Sequence, residues 1–119
     1  MKLETNELID AALDFAVALA RDESVRVEGG RVRFALSQFT NDYDLYSPST
    51  DWAQGGPIID RMVREGLRLM GYKSLPTDPT SCQAQIGNIV TGGQTPLIAA
   101  MRVCVSYKLG DEVDVPKEL

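Results

Sequence analysis

Histidine is absent from this sequence of 119 residues. Its absence excludes Ser-His-Asp and Cys-His catalytic arrangements, histidine-ligated metals and acid–base catalysis by imidazole. The two cysteines, Cys82 and Cys104, match neither a CxxC motif nor a zinc-site spacing, so we interpret them as reduced core side chains. No secretory signal and no apolar run long enough to span a bilayer is visible, which predicts a cytoplasmic protein that does not associate with membranes.

Positive charge is also scarce. Twelve Lys and Arg residues stand against 17 Asp and Glu, which gives a net charge of −5. Because DNA binding depends on accumulated positive charge, this balance argues against a DNA-binding protein. The acidic excess lies in residues 1–25 and 74–119, whereas residues 26–73 are nearly balanced. The central region is therefore compatible with a small anionic ligand.

With 44% hydrophobic residues, the chain is typical of a globular protein, and we predict one α+β domain over residues 1–119. The predicted architecture is a small antiparallel sheet of about four strands, packed by two main helices and one short helix. Apolar residues at helical spacing predict the first helix over 6–21, with Thr5 as its N-cap. Its predicted inward residues are Leu8, Ala12, Phe15 and Leu19, and its predicted solvated acidic face is Glu7, Asp10 and Asp14.

The remaining elements follow from turn and capping signals. Alternating apolar residues around Gly29 and Gly30 predict a hairpin over 25–34, with its arginines on a solvated face. A loop over 41–56 precedes a short helix that begins at Pro57 and ends near Gly66. Further predictions are strands over 67–72 and 82–86 with a flexible connection over 75–81, a helix capped by Thr95 and opened by Pro96 that ends at Leu109–Gly110, and an acidic tail over 111–119.

The loop before Pro57 is the predicted ligand site. Tyr46 and Trp52 supply flat aromatic faces, and Asp51 is suited to hold a ribose-like diol or a cation. Paired glycines before a helix allow a ligand to approach backbone N–H groups at the positive end of the helix, and this pattern occurs at Gly55–Gly56 and again before Thr95. The predicted ligand-binding residues are Tyr46, Ser47, Ser49, Thr50, Asp51, Trp52, Gln54, Gly55, Gly56 and Thr95.

A different interpretation of this loop is purely structural: Trp52 covers the edge of the core, while the serines and Asp51 form turns and caps. Catalysis is a weaker hypothesis, because Asp42, Asp44, Asp51 and Asp60 have no metal-binding or acid–base spacing. We therefore expect no catalytic residue, no metal and no cofactor.

The segment from Tyr46 to Ile59 resembles the signature of the NinX-like family of small phage and prophage proteins. Residues 11–18 are similar to the opening helix of that family, and residues 95–102 and 108–113 are similar to its end. Phe15 stands where the family leads us to expect tryptophan, and residues 67–81 are less typical. The resemblance implies a phage or prophage origin and action in the bacterial cytoplasm, but it implies no mechanism.

Three functional hypotheses follow. The first is a non-catalytic phage accessory protein that binds a small anionic, nucleotide-like ligand through the Tyr46–Gly56 loop. Such a protein could sequester a host defence signal, with sites built between subunits of a homo-oligomer. The second is a protein-binding modulator of a host or phage enzyme, anchored by Trp52 and Tyr46. The third is a metal-assisted nucleotide hydrolase that uses Asp51.

Overall fold

The computed structural model describes residues 1–35, 45–71 and 82–119. Within these ranges the chain forms seven strands and three α-helices, and the predicted α+β class is confirmed. None of these helices has the length and hydropathy needed to cross a bilayer. In chain order the elements are β1 (Lys2–Glu4), a 3₁₀ turn (Thr5–Glu7), α1 (Asp10–Ala20), β2 (Val25–Glu28), β3 (Arg31–Phe34), α2 (Trp52–Arg64), β4 (Arg68–Gly71), β5 (Cys82–Ile86), β6 (Ile89–Gly93), α3 (Pro96–Leu109) and β7 (Glu112–Asp114).

The strands of the described residues form three small antiparallel sheets instead of the one predicted sheet. β2 pairs with β3, β1 pairs with β7, and β4, β5 and β6 form a three-stranded sheet. The hairpin prediction is confirmed: Val27 faces Val32 across β2 and β3, and Gly29 and Gly30 turn the chain at φ values of 62° and 74°. The sequence analysis missed β6, because its paired glycines suggested a helix start and not the end of a strand.

The segment predicted as an acidic tail contains a strand, since residues 112–114 form β7. Leu3 of β1 lies opposite Val113, and both Val113 and Val115 are buried. Thr5 takes part in the same junction: its N–H donates to the Asp111 carbonyl and its hydroxyl donates to the Gly110 carbonyl at 2.7 Å. Strand pairing over more than 100 positions leaves no local signal, since each strand is only three residues long.

The first helix differs from its prediction at its start. Thr5 is buried and committed to Gly110, so it caps no helix, and α1 begins only at Asp10, after Ile9, which provides no side-chain cap. The inward face is also rotated from the predicted one, since Leu19 is exposed. The buried residues of α1 are Leu13, Asp14, Ala16, Val17 and Ala18.

The long helix α3 is the centre of the fold. Its predicted start and end are both confirmed: the Thr95 hydroxyl accepts from the Ile98 N–H at 3.1 Å, Pro96 is the first helical residue, and Gly110 follows the last turn at a φ of 93°. It contacts α1, α2 and the three-stranded sheet. Arg102 of α3 ties two neighbouring segments to the helix, donating to the Leu8 carbonyl at 2.9 Å and to the Gly92 carbonyl at 2.8 Å.

Helix α2 begins five residues earlier than predicted. Asp51 is its N-cap, and the Asp51 carboxylate accepts from the Ala53 N–H at 2.9 Å. Pro57 therefore lies inside the helix and does not open it. Gly56 favours this arrangement, because without a Cβ it avoids the clash that disfavours a helical conformation before proline. The predicted end of the helix is confirmed. Gly66 follows the last turn at a φ of 108°, and the Leu67 N–H donates to the Met62 carbonyl at 3.0 Å.

Candidate functional site

The predicted ligand loop contributes residues 45–51 to the segment before α2 and residues 52–56 to α2 itself. Its first residues, 41–44, lie outside the described part of the chain. The side chain of Gln54 bonds to the segment before α2. Its oxygen accepts from the Ser47 N–H at 2.8 Å, and its amide nitrogen donates to the Leu45 carbonyl at 2.7 Å. Asp51 is occupied as the cap of α2. These two side chains hold the backbone of the segment in place, and the cap at Asp51 agrees with the structural interpretation.

Asp14 holds the same segment from the side of α1. One oxygen of its carboxylate accepts from the Ser49 N–H at 2.8 Å, and the residue is only 4% exposed. Burial raises the pKa of Asp14 from 3.8 to about 6, against the opposing effect of the bonds from Ser49. The predicted solvated role of Asp14 is therefore wrong. A signal for its burial is present in the sequence, because Asp14 interrupts an otherwise apolar run from Ala11 to Ala20.

Gly55 serves packing and not ligand approach. It is buried, and a Cβ at this position would collide with the Leu97 side chain of α3 and with the Pro48 carbonyl. Gly56 is different, since a Cβ there would have only Trp52 nearby, at 4.0 Å. At the second paired-glycine segment, a Cβ on Gly93 would come within 2.7 Å of the Ala99 N atom. Both segments therefore contain one glycine that lets α3 pack closely.

Three of the predicted residues line one cavity of about 240 Å³ beside the start of α1, which we call the α1 cavity. Tyr46 contributes little exposed surface to it, because the residue is 4% exposed and its ring packs edge-on against Phe34 with centroids 5.2 Å apart. A ring held in this way is unavailable for stacking on a base. The described residues that line the cavity are Asp10, Ala11, Asp14, Arg31, Val32, Leu45, Tyr46, Ser47 and Thr50.

Trp52 lies elsewhere, as the first residue of α2, and its indole is 55% exposed. It lines a second cavity of about 300 Å³ together with Pro96, the residue after Thr95. Leu69 and Met70 of β4 lie in the same wall, and both are exposed. We call this region the Trp52 surface; its described lining residues are Trp52, Leu69, Met70, Cys82, Gln83 and Pro96, and none carries a charge.

The ten predicted residues are thus divided between different places. Tyr46, Ser47 and Thr50 meet at the α1 cavity, whereas Trp52 and the segment around Thr95 meet at the Trp52 surface. Of the remaining predicted residues, Asp51 caps α2, Gln54 bonds to the segment before it, and Ser49 and Gly55 are buried. Within the described ranges, no three His, Cys, Asp or Glu residues come together as a possible metal site.

In a comparison with known protein families, a family model described as Bacteriophage P22, NinX matches residues 4–108, nearly the whole chain. Comparison with curated proteins gives no match. The match extends over the connection between β3 and α2, the Trp52 surface and the central helix.

Proposed function

The chain belongs to the Bacteriophage P22 NinX family, and on that premise we propose that it is a non-catalytic phage accessory protein that binds a host or phage enzyme through the Trp52 surface. The observation that carries this proposal is the exposure of three large apolar residues that line one cavity: Trp52 is 55% exposed, Leu69 40% and Met70 37%. Such neighbouring apolar side chains are costly in water, and tryptophan is enriched among residues that dominate binding energy at interfaces.

The uncharged lining of this surface indicates what kind of contact it makes. Its described walls offer an apolar pocket and the Gln83 amide, but no charge that would select an ionic partner. The matching surface on the enzyme is therefore an apolar side chain or short apolar segment that fills the pocket beside the indole. In this proposal the complex forms in the bacterial cytoplasm.

A nucleotide-like small ligand is the second candidate, and one observation favours it. The indole of Trp52 stands beside a cavity of about 300 Å³ at which both α2 and α3 begin, so a base could stack there with its phosphate near two helix N-termini. Against it, Asp51 and Thr95 already accept N–H groups at these two helix starts. The protein-binding proposal therefore has the stronger support. Sequestration of a host defence signal, with sites shared in a homo-oligomer, would require this second mode of binding.

The chain provides its own reporter for the test, because Trp52 is the only tryptophan. With purified host and phage enzymes as probes, burial of the indole in an interface shifts its fluorescence to shorter wavelength. Stacking on a nucleobase instead quenches the emission. A blue shift that saturates with one enzyme supports the proposal, saturable quenching by a nucleotide supports the second candidate, and an unchanged spectrum in both titrations contradicts both.

Two variants test whether the binding site lies at Trp52. Trp52→Ser should weaken enzyme binding by at least about 30-fold, the loss of about 2 kcal/mol expected of an interface anchor. Tyr107→Ser is the matched control, since Tyr107 is also an exposed aromatic residue, 44% exposed, and lies at the other end of α3. Equal loss of binding in both variants, measured by biolayer interferometry, would contradict an anchor at Trp52.

A further inference from the structure

A third cavity lies where the three helices end, away from every predicted residue. It has a volume of about 250 Å³ and receives side chains from each helix region: Arg21 follows α1, Arg61 belongs to α2 and Lys108 belongs to α3. We call it the cationic cavity. Its lining residues are Arg21, Ile58, Arg61, Met62, Glu65, Cys104 and Lys108.

The charge at this cavity is opposite to that of the whole protein. Among the described residues, three cationic side chains line it against one carboxylate, Glu65, in a chain with a net charge of −5. Arg21 has a distant partner in Glu23 at 3.8 Å, and Lys108 lies 5.1 Å from the centre of the Tyr107 ring. Among the described residues, no carboxylate forms a salt bridge with Arg61 or Lys108. Within the described residues, the cations of this cavity therefore outnumber the carboxylates that lie near them, Glu23 and Glu65.

The carbonyl ends of the three helices account for part of this gathering, because cations are favoured near helix C-termini. They do not account for a cavity between the cations. Each helix end needs only a side chain near its own last turn, whereas here the three side chains line one common cavity together with the buried residues Ile58 and Met62. A cavity that three cations share is a favourable place for an anion.

We propose that the cationic cavity binds a phosphate group, held by Arg21, Arg61 and Lys108. Charge-assisted bonds from guanidinium groups match phosphate oxygens, and the lysine ammonium adds a third positive charge. Glu65 at the same cavity favours a phosphate attached to a hydroxyl-bearing molecule over a free polyanion, because it repels excess negative charge and accepts from a hydroxyl. This site is independent of the Trp52 surface, since the two share no lining residue.

The experiment titrates the protein with inorganic phosphate and with glycerol phosphate at constant ionic strength, followed by calorimetry and by thermal unfolding. Arg61→Gln should weaken binding by at least about tenfold, the loss expected for one charge-assisted contact. Arg64→Gln is the matched control on the same helix, because Arg64 is exposed and reaches only Asp60, at 3.5 Å. Tighter binding of glycerol phosphate than of inorganic phosphate supports the role of Glu65.

Two results would overturn the proposal. In the first, phosphate stabilises the protein no more than sodium chloride of equal ionic strength, while Arg61→Gln still lowers the melting temperature; the cations then only neutralise helix ends. In the second, Arg61→Gln and Arg64→Gln bind phosphate equally.

Discussion

Two segments of this chain look alike in sequence and are used differently in the fold. Both place paired glycines shortly before a proline and an apolar stretch: Gly55–Pro57 and Gly92–Pro96. The second ends a strand and precedes a helix, so that Pro96 is the first helical residue. The first lies entirely within α2, because Asp51 has already started the helix. The position of the capping residue, and not the glycine–proline pattern, therefore decides where each helix begins.

The comparison also shows what the paired glycines do. In each pair one glycine is buried, and a side chain there would collide with a neighbouring element. A side chain at Gly55 would meet α3 and the segment before α2, and one at Gly93 would meet α3. The segments share a packing requirement, although one is helical and the other extended. Glycine at these positions is thus explained by close approach within the protein, and neither position requires a ligand.

The largest expected effect comes from filling these two close approaches. Gly55→Ala and Gly93→Ala should each lower the free energy of unfolding by about 3 kcal/mol or more, because the new methyl group meets backbone atoms that cannot move aside. Gly56→Ala is the control in the same helix, with a Cβ in open space and an expected change within about 1 kcal/mol. Urea unfolding measures all three. If Gly56→Ala were as costly as Gly55→Ala, helix conformation and not packing would be the cause.

The second-largest expected effect is a pH dependence of stability that arises at the segment before α2. Asp14 holds the chain just before α2 through the Ser49 N–H. Its folded-state pKa of about 6 lies above the ordinary 3.8, so the folded protein holds this proton more tightly than the unfolded chain does. Asp14 therefore contributes most below about pH 4, and the stability it gives is lost as the pH rises through 6, by about 3 kcal/mol in total.

Asp14→Asn should remove this dependence while keeping an oxygen for the Ser49 N–H. Urea unfolding between about pH 4 and pH 7.5 measures the difference between wild type and variant, in which the titration of all other carboxylates cancels. The variant should gain stability relative to the wild type as the pH rises. A constant difference across this range would show that Asp14 keeps an ordinary pKa in the folded protein.

The smallest effect tests the helix starts directly. Asp51→Ala and Thr95→Ala should each cost about 1 kcal/mol, because each removes the acceptor for an N–H of the first turn. Thr50→Ala, a neighbouring exposed residue that caps no helix, should change stability by less than about 0.5 kcal/mol. Guanidinium unfolding resolves these differences. If Asp51→Ala matched Thr50→Ala, α2 would begin later than Asp51, near Pro57.

The contrast between α1 and α3 shows which helix ends can be predicted from the sequence. For α3, Thr95, Pro96 and Gly110 lie next to the ends that they define, and local bonding alone makes the prediction correct. For α1, Thr5 has the same capping chemistry, but its hydroxyl bonds to Gly110 instead. A local rule cannot anticipate a partner 105 positions away. Likewise the Tyr46–Trp52 segment predicts one aromatic site, whereas the structure buries Tyr46 beside the α1 cavity and exposes Trp52 at a different one.

By itself, the sequence determined those features whose causes lie within a few residues: the turn at Gly29 and Gly30, the limits of α3, and the end of α2 at Gly66. The tertiary structure alone decided the pairing of β1 with β7, the burial of Asp14, and the meeting of Arg21, Arg61 and Lys108 around one cavity. The physical reason is distance along the chain. Caps and turns are settled by neighbouring backbone groups, whereas burial and clusters of charge depend on which distant elements the core brings together.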